Sequence, residues 1–354
     1  MKTYFRRAQA ILAVLLMAAA SAAASDHKRD IFVLTSTNDT NHNQVVVFKL
    51  NPSGTPSLSF VKALPTGGAG GASGNAGSVQ FGDFFGAVAN YGSNNLSQLV
   101  RDDHSIRVVR TINLAPDCAG PVSVAISGTH LFAVGANCAE SHSWPWGQVD
   151  GGVVTIGDNS AAQIVAGKSW AAVTLKSGSV LQLPLTGDGE LNGASATVAL
   201  PSGANDTPLG AAFWGDILAV NPAHSANSFA LLDKGGDVFP VLGPQPAYPG
   251  NAPCWLAKGP GNIWYSGNSP NQSISIFFSD GQGGTFYKSV PLPGTPTDIT
   301  VSRDNKWLAV IYTAADGSGG RVAVFAIDAY GDLAPVATSG AIGVAGFNGV
   351  AISE

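Results

Sequence analysis

One segment concentrates side chains that can do chemistry. Between Cys138 and Asp150 the sequence reads Cys-Ala-Glu-Ser-His-Ser-Trp-Pro-Trp-Gly-Gln-Val-Asp. It carries two acids, Glu140 and Asp150, one imidazole, His142, and two indoles, Trp144 and Trp146. An imidazole or carboxylate beside a bound molecule can take a proton from water. Indole faces next to carboxylates suit sugar-like or aromatic ligands, because the ring offers apolar area and the acids accept from hydroxyls. Glu140, His142 and Asp150 are therefore the candidate catalytic groups. Asn90, Tyr91, Trp144, Trp146, Lys176, His224 and Arg321 are the candidate binding groups. Lys176, Arg321 and Asn90 are the donors available to a developing oxyanion.

These residues need elements to position them, and the composition says which kind. Glycine is abundant, with 44 residues, while charged residues are only 12%. Val, Ile, Phe, Thr and Ser dominate between the glycines, a strand-and-turn composition. One unit recurs: a short strand, a turn, an apolar strand, a polar loop and a third strand. Its clearest copy runs from Thr297–Ser302 through Trp307–Tyr312 to Val322–Asp328, finished by Leu333–Ala337. First strands start near Gly77, Pro121, Ala161, Pro208, Cys254, Thr297 and Gly349. Spacings of ~40–50 residues mark the four-stranded blades of a propeller.

Seven starts predict a seven-bladed, all-β propeller. The segment Asp30–Ser36 reads as a second strand without a first, and Gly349–Ser353 as a first strand with nothing after it. The C-terminal strand is therefore expected to complete the N-terminal blade and close the ring. One blade is irregular: Val153–Ile156 precedes Ala161–Ala166 with no room for an outer strand. Either that blade has three strands or its long insertion supplies the fourth; six blades is the alternative for the ring.

In such a ring one face carries the turns between first and second strands. The other carries the loops between second and third strands and between blades, around the channel mouth. The polar segments Asn38–Asn43, Tyr91–Asn94, Cys138–Asp150, Lys176–Gly178, Asn221–Asn227, Gly267–Gln272 and Ala314–Gly320 are assigned to that second face. The site is expected there.

Residues 1–24 read as a secretory signal, with Lys2, Arg6 and Arg7 ahead of the apolar run Ala10–Ala23 and small residues around Ala22–Ala24. The remainder, 25–354, is read as one propeller domain. Its expected location is the periplasm or the exterior, with no membrane span once the signal is removed. Loss of three positive charges takes the net charge from -5 to -8. Basic residues are sparse, which argues against a nucleic-acid partner. A monomer is expected.

Three cysteines fall in an oxidising compartment. Cys118 precedes a first strand and Cys138 follows the second strand of the same blade, so the hairpin returns one towards the other. A Cys118–Cys138 disulfide is predicted. It would close a loop of about 20 residues and stabilise by on the order of 3 kcal/mol. Cys254 is left as a buried thiol; its pairing with either other cysteine is the alternative. His42, His142 and His224 all fall on the expected site face, but in alternate blades. No metal and no other cofactor is expected.

Several stretches resemble the seven-bladed lactonase family, which includes bacterial 6-phosphogluconolactonases and fungal carboxymuconate-lactonising enzymes. They are Leu64–Gly71 leading into Gly77–Phe81, Phe85–Ser97 with its Asn90-Tyr91-Gly92-Ser93-Asn94, Gly120–Val124 and Asn251–Ala257. The resemblance covers most of the chain after the signal and implies a lactone or cyclic-ester hydrolase acting on a small-molecule lactone. Characterised members use arginine, histidine and glutamate around the channel. Only six arginines follow the signal, and only Arg321 is expected beside the site face. A clamp for a sugar phosphate is missing from this pattern. The competing reading is a non-catalytic propeller that binds a glycan, a cell-wall component or a protein partner.

Overall fold

A computed structural model of the chain describes residues 29–200, 207–223, 230–235, 238–239, 252–280, 283–343 and 346–354. Residues 1–28, with the expected signal, lie outside them, as does His224. Among the described residues no helix is long and apolar enough to cross a membrane.

The unit Ile31–Glu354 is built from seven antiparallel four-stranded sheets. Their innermost strands are Asn348–Ser353, Val79–Phe81, Ser123–Ser127, Ala161–Ala166, Thr207–Trp214, Pro253–Lys258 and Gly294–Val301. Each touches the next in that order, and the last returns to the first, so the sheets form a closed ring. The second strands are buried on both sides between neighbouring blades, which is why Phe85–Asn90, Trp170–Leu175 and Trp307–Ala314 read as nearly continuous apolar runs. The outermost strands alternate; Ile106–Asn113 buries Ile106 and Ile112 and exposes Arg107 and Arg110. The core is a set of apolar layers between blades rather than one centre. Between blades 4 and 5, for example, Trp170 meets Phe213 edge-on at 4.7 Å.

Blade 1 contains both ends of the propeller. Asn348–Ser353 pairs with Ile31–Ser36, which pairs with Gln44–Asn51 and then Ser57–Pro65. Thr35 Oγ1 donates to the Gly349 carbonyl at 2.7 Å, and Arg101 of blade 2 donates to Ser353 Oγ at 2.8 Å. Gly349 has a positive φ of 74°, and a Cβ there would meet Ser78 Oγ and the Val79 amide. Only glycine fits this position.

Blade 3 resolves the irregular unit and corrects its reading. Cys138–Ser143 is not a loop but the third strand, paired with His130–Val134, and Val149–Thr155 is the fourth. The insertion therefore supplies the missing strand. The connection between second and third strands is only Gly135–Asn137. The strand escapes an apolar-run search because its buried positions hold Glu140, Ser141 and His142. Cys118 and Cys138 are bonded, with Cα atoms 5.5 Å apart. Cys254 is a buried free thiol, and burial pushes its pKa up.

If ring closure is the dominant constraint, a chain lacking residues 348–354 should show no cooperative thermal transition by circular dichroism. Gly349→Ala should retain the fold but lose on the order of 1–3 kcal/mol in urea unfolding, the usual cost of a disfavoured backbone conformation. Unchanged stability in both chains would disprove the closure argument.

Candidate functional site

The face bearing second-to-third and blade-to-blade connections is called upper here; the face bearing first-to-second and third-to-fourth turns is called lower. The upper end of the channel is closed by residues 75–78, from the long connection between blades 1 and 2. All four are buried. Asn75 Nδ2 donates to the Val122 carbonyl of blade 3, and Ala76 belongs to the same buried cluster as Ala162, Leu209, Cys254 and Ile299 of blades 4 to 7. The Gly77 carbonyl accepts from Val124 of blade 3 at 2.9 Å, and its amide donates to Asp298 of blade 7 at 2.9 Å. Contacts with blades on opposite sides of the ring mean that this segment lies across the channel as a plug.

Asp298 is the buried acid of that plug. Its carboxylate also accepts from the Ile299 amide at 2.9 Å and from the Val350 backbone. Complete burial pushes its pKa up to about 7, and these three donors only partly offset the desolvation. Lys176 secures the plug from blade 4, donating to the Ser73 carbonyl at 3.0 Å; burial lowers its pKa.

The candidate residues are distributed as follows. Glu140 and His142 point towards blade 2, with the two side chains 1% and 0% exposed. His142 Nε2 and Glu140 Oε1 are 2.8 Å apart, and Glu140 Oε2 accepts from the Ala115 amide at 2.9 Å. They form a sealed pair. Asp150 lies opposite Ser141 and so faces the other way, towards blade 4. The three expected catalytic groups thus occupy two sites on opposite faces of one sheet.

Trp144 is buried against Phe85, edge-on at 6.2 Å, and Trp146 is exposed, both in the third-to-fourth turn on the lower face. Arg110 holds this turn by donating to the carbonyls of Pro145, at 2.6 Å, and Trp146. Asn90 is wholly buried; it donates to Asn95 and Ser97 and accepts from Asn43. The same arrangement recurs at Asn268, which donates to Ser273 and Ser275, so this asparagine is a repeat feature that ties second strands to third. Tyr91 is partly exposed on the upper face and packs on Gly120, where a Cβ would lie 2.8 Å from its ring. Arg321 donates to Ser318 at 3.1 Å and to the Ser339 carbonyl at 3.5 Å.

The channel is accessible from below. Its lining, around about 290 Å³, includes Gln80, Gln163, Lys258 and Thr300 among small and apolar residues. It shares Gln80, Ile126, Thr300 and Val301 with a lower-face cleft of about 580 Å³. Phe84, Phe85 and Trp144 wall that cleft, and Arg303 pairs with Asp83 at its edge. Lys258 donates to the carbonyls of Gly259 and Gly261 and lies over the Trp264 and Trp214 rings; burial brings its pKa down to about 8. Of the residues around this cleft and channel, sequence reasoning singled out Trp144 alone. The sequence-derived candidates were assigned to the upper face. A separate hollow of about 610 Å³, lined by Asn41, His42, Gln44 and Ser93, lies between blades 1 and 2 and shares no lining residue with the channel.

No family model and no curated protein matches the sequence. Solved structures do. A functionally unknown protein from Desulfotomaculum acetoxidans superposes with a TM-score of 0.67 at 14% identity, over 92% of this chain and 99% of that one. A Lactobacillus plantarum protein gives 0.67 and 14%, over 92% and 100%. A "putative 6-phosphogluconolactonase" from Bacteroides fragilis gives 0.59 and 15%, over 89% and 99%. The likeness shows the fold, a seven-bladed propeller.

Two outcomes follow for the buried acids. His142→Ala should destabilise the fold by about 3 kcal/mol, because it strands a buried carboxylate; Glu140→Gln should cost less, since the amide can still accept from Ala115 and donate to the imidazole. Urea midpoints check this, and near-equal midpoints for all three proteins would contradict it. For Asp298, a folded pKa above the unfolded 3.8 means folding takes up a proton between pH 4 and 7. Its contribution is fully present below pH 4, is lost as pH rises to about 7, and is flat above. The melting temperature of wild type should therefore fall relative to Asp298→Asn across that window; a constant difference would refute the assignment.

Proposed function

We propose that this chain is an exported propeller that binds a small polyhydroxylated or lactone-like molecule at the lower mouth of its channel. One observation carries the reading: the lower cleft opens into the channel, whereas buried residues fill the upper end. A cleft of this volume is in the range that holds a metabolite-sized ligand. Phe84, Phe85 and Trp144 provide the apolar wall, Gln80 offers an amide, and the Arg303–Asp83 pair presents donor and acceptor together.

Hydrolysis of a lactone in this cleft is the second reading. The Asp83–Arg303 pair favours it, with the carboxylate available to activate water and the guanidinium to meet an oxyanion. The fold shared with the Bacteroides protein adds support. Glu140 and His142 are less suited to that chemistry than Asp83, because no substrate atom reaches them without opening the junction of blades 2 and 3.

A panel of aldonolactones, their free acids and neutral sugars separates the readings. Thermal shift should identify a ligand, and Arg303→Ala and Phe84→Ala should each weaken it tenfold or more, as loss of a charged hydrogen bond or an aromatic wall implies. Acid release measured at constant pH, abolished by Asp83→Asn, would make the protein a lactonase. Binding that both variants leave intact would remove the lower cleft from consideration.

A further inference from the structure

The other face of blade 3 holds a second cluster. His130 opens the second strand, Asp150 lies on the fourth, and Glu190 comes from the third-to-fourth connection of blade 4. One donor atom from each lies within 4.8 Å of those from the other two. The geometry points to a divalent transition-metal site, of the zinc type, formed by His130, Asp150 and Glu190 across the junction of blades 3 and 4.

Distances argue for an ion rather than a hydrogen bond. His130 Nε2 is 3.5 Å from Asp150 Oδ2. That is long for an N–H···O bond, which prefers roughly 2.7–3.2 Å. It is close to the edge of a tetrahedron with metal–ligand bonds of ~2.1 Å, about 3.4 Å. Asp150 Oδ1 is shut off from solvent and has no hydrogen-bond partner. The side chains of His130 and Asp150 are 9% and 18% exposed. Among the described residues, neither carboxylate pairs with a lysine or arginine. Two acids converge on one imidazole with no such positive charge beside them.

The backbone is shaped to bring them together. Gly151, at φ 68°, approaches the next blade so closely that a Cβ would lie 2.5 Å from the Leu191 carbonyl oxygen and 2.8 Å from Glu190 Cβ. The Gly152 amide donates to the Leu191 carbonyl at 2.6 Å. Ser141 Oγ donates to the Asp150 carbonyl at 2.7 Å and accepts from the Leu191 amide at 3.1 Å. Gly189, at φ 100°, lies against the His130 ring, where a Cβ would be 3.1 Å from Nδ1. Backbone contacts thus dock the blade 4 connection on the edge of blade 3 and deliver Glu190 to the other two.

The donor set selects the ion class. One imidazole nitrogen and two carboxylates suit zinc and its neighbours, whereas calcium and magnesium prefer oxygen alone. Three protein ligands leave a fourth position on the partly exposed side of Asp150 and Glu190. The ion would join two blades that meet otherwise through apolar packing and a few hydrogen bonds, among them those from the Leu191 and Ile164 amides to Ser141 and Ser123. The site is separate from the lower cleft and does not rest on the ligand proposed there. Among the described residues, the other grouping of this kind, Cys118, Cys138 and Glu140, is taken up by the disulfide.

The test uses the full chain without an affinity tag, stripped with chelator and titrated with zinc chloride by calorimetry. One ion per chain should bind, and the melting temperature should rise with free zinc. His130→Gln, Asp150→Asn and Glu190→Gln should each weaken that binding by more than about 100-fold, beyond the 10–100-fold typical of groups that only orient a ligand. Glu190→Gln is the decisive variant, since its side chain lies in a partly exposed turn and the isostere should fold. His42→Gln should bind as wild type does. Undiminished affinity in Glu190→Gln, no binding at all, or tighter binding of calcium than of zinc would each overturn the assignment.

Discussion

The ladder between Asn348–Ser353 and Ile31–Ser36 joins segments more than 300 residues apart, and every blade depends on it. A propeller blade has no core of its own. Each buries its two faces against its neighbours, so the apolar layers are shared all the way round. An open ring would leave two such faces and two sheet edges in water. The closing contact is correspondingly over-determined: a six-residue strand without a side chain at Gly349, a hydroxyl from Thr35, and a guanidinium from the neighbouring blade at Ser353.

The same closure makes the channel asymmetric. The connection from blade 1 to blade 2 runs inward before its first strand begins, and Asn75 to Ser78 fill the space where the upper ends of the inner strands converge. Asn75 Nδ2 and the Gly77 amide and carbonyl are met by partners from blades 3 and 7, which holds the segment, while Asn75 Oδ1 and Ser78 Oγ are buried without a hydrogen-bond partner. Asp298 is the clearest cost. Its carboxylate is placed where it can receive three backbone amides, but far enough from water that its pKa is pushed up to about 7. With the upper end filled, the channel is approached from below, past Phe84, Trp144 and the Arg303–Asp83 pair.

Blade 3 shows how one strand pair serves two environments. Successive residues of Cys138–Ser143 point to opposite faces. Glu140 and His142 go towards blade 2 and lie within hydrogen-bond distance of each other, while Ser141 goes towards blade 4 and bridges to Asp150 and Leu191. Six residues therefore supply a sealed acid–imidazole pair on one side and the backbone support for a three-donor cluster on the other.

The sequence by itself determined the architecture: seven units from their spacing, closure from the unmatched strands at the two ends, and the Cys118–Cys138 bond from its position at the roots of one hairpin. These are local or periodic properties, and period-two burial between repeated sheets writes them directly into residue order. It did not determine the site. Glu140, His142 and Asp150 are near in sequence, but strand alternation puts Asp150 on the opposite face from the other two, and the polar character of Cys138–Ser143 disguised a buried strand as a loop. Gln80, Phe84, Lys258 and Arg303 converge only because the ring brings blades 2, 6 and 7 around one opening. His130 meets Glu190 only because glycines at 151 and 152 allow two backbones to touch. Which groups face one another across a blade junction depends on side-chain direction and on close backbone approach between distant segments, and only the tertiary structure decided those.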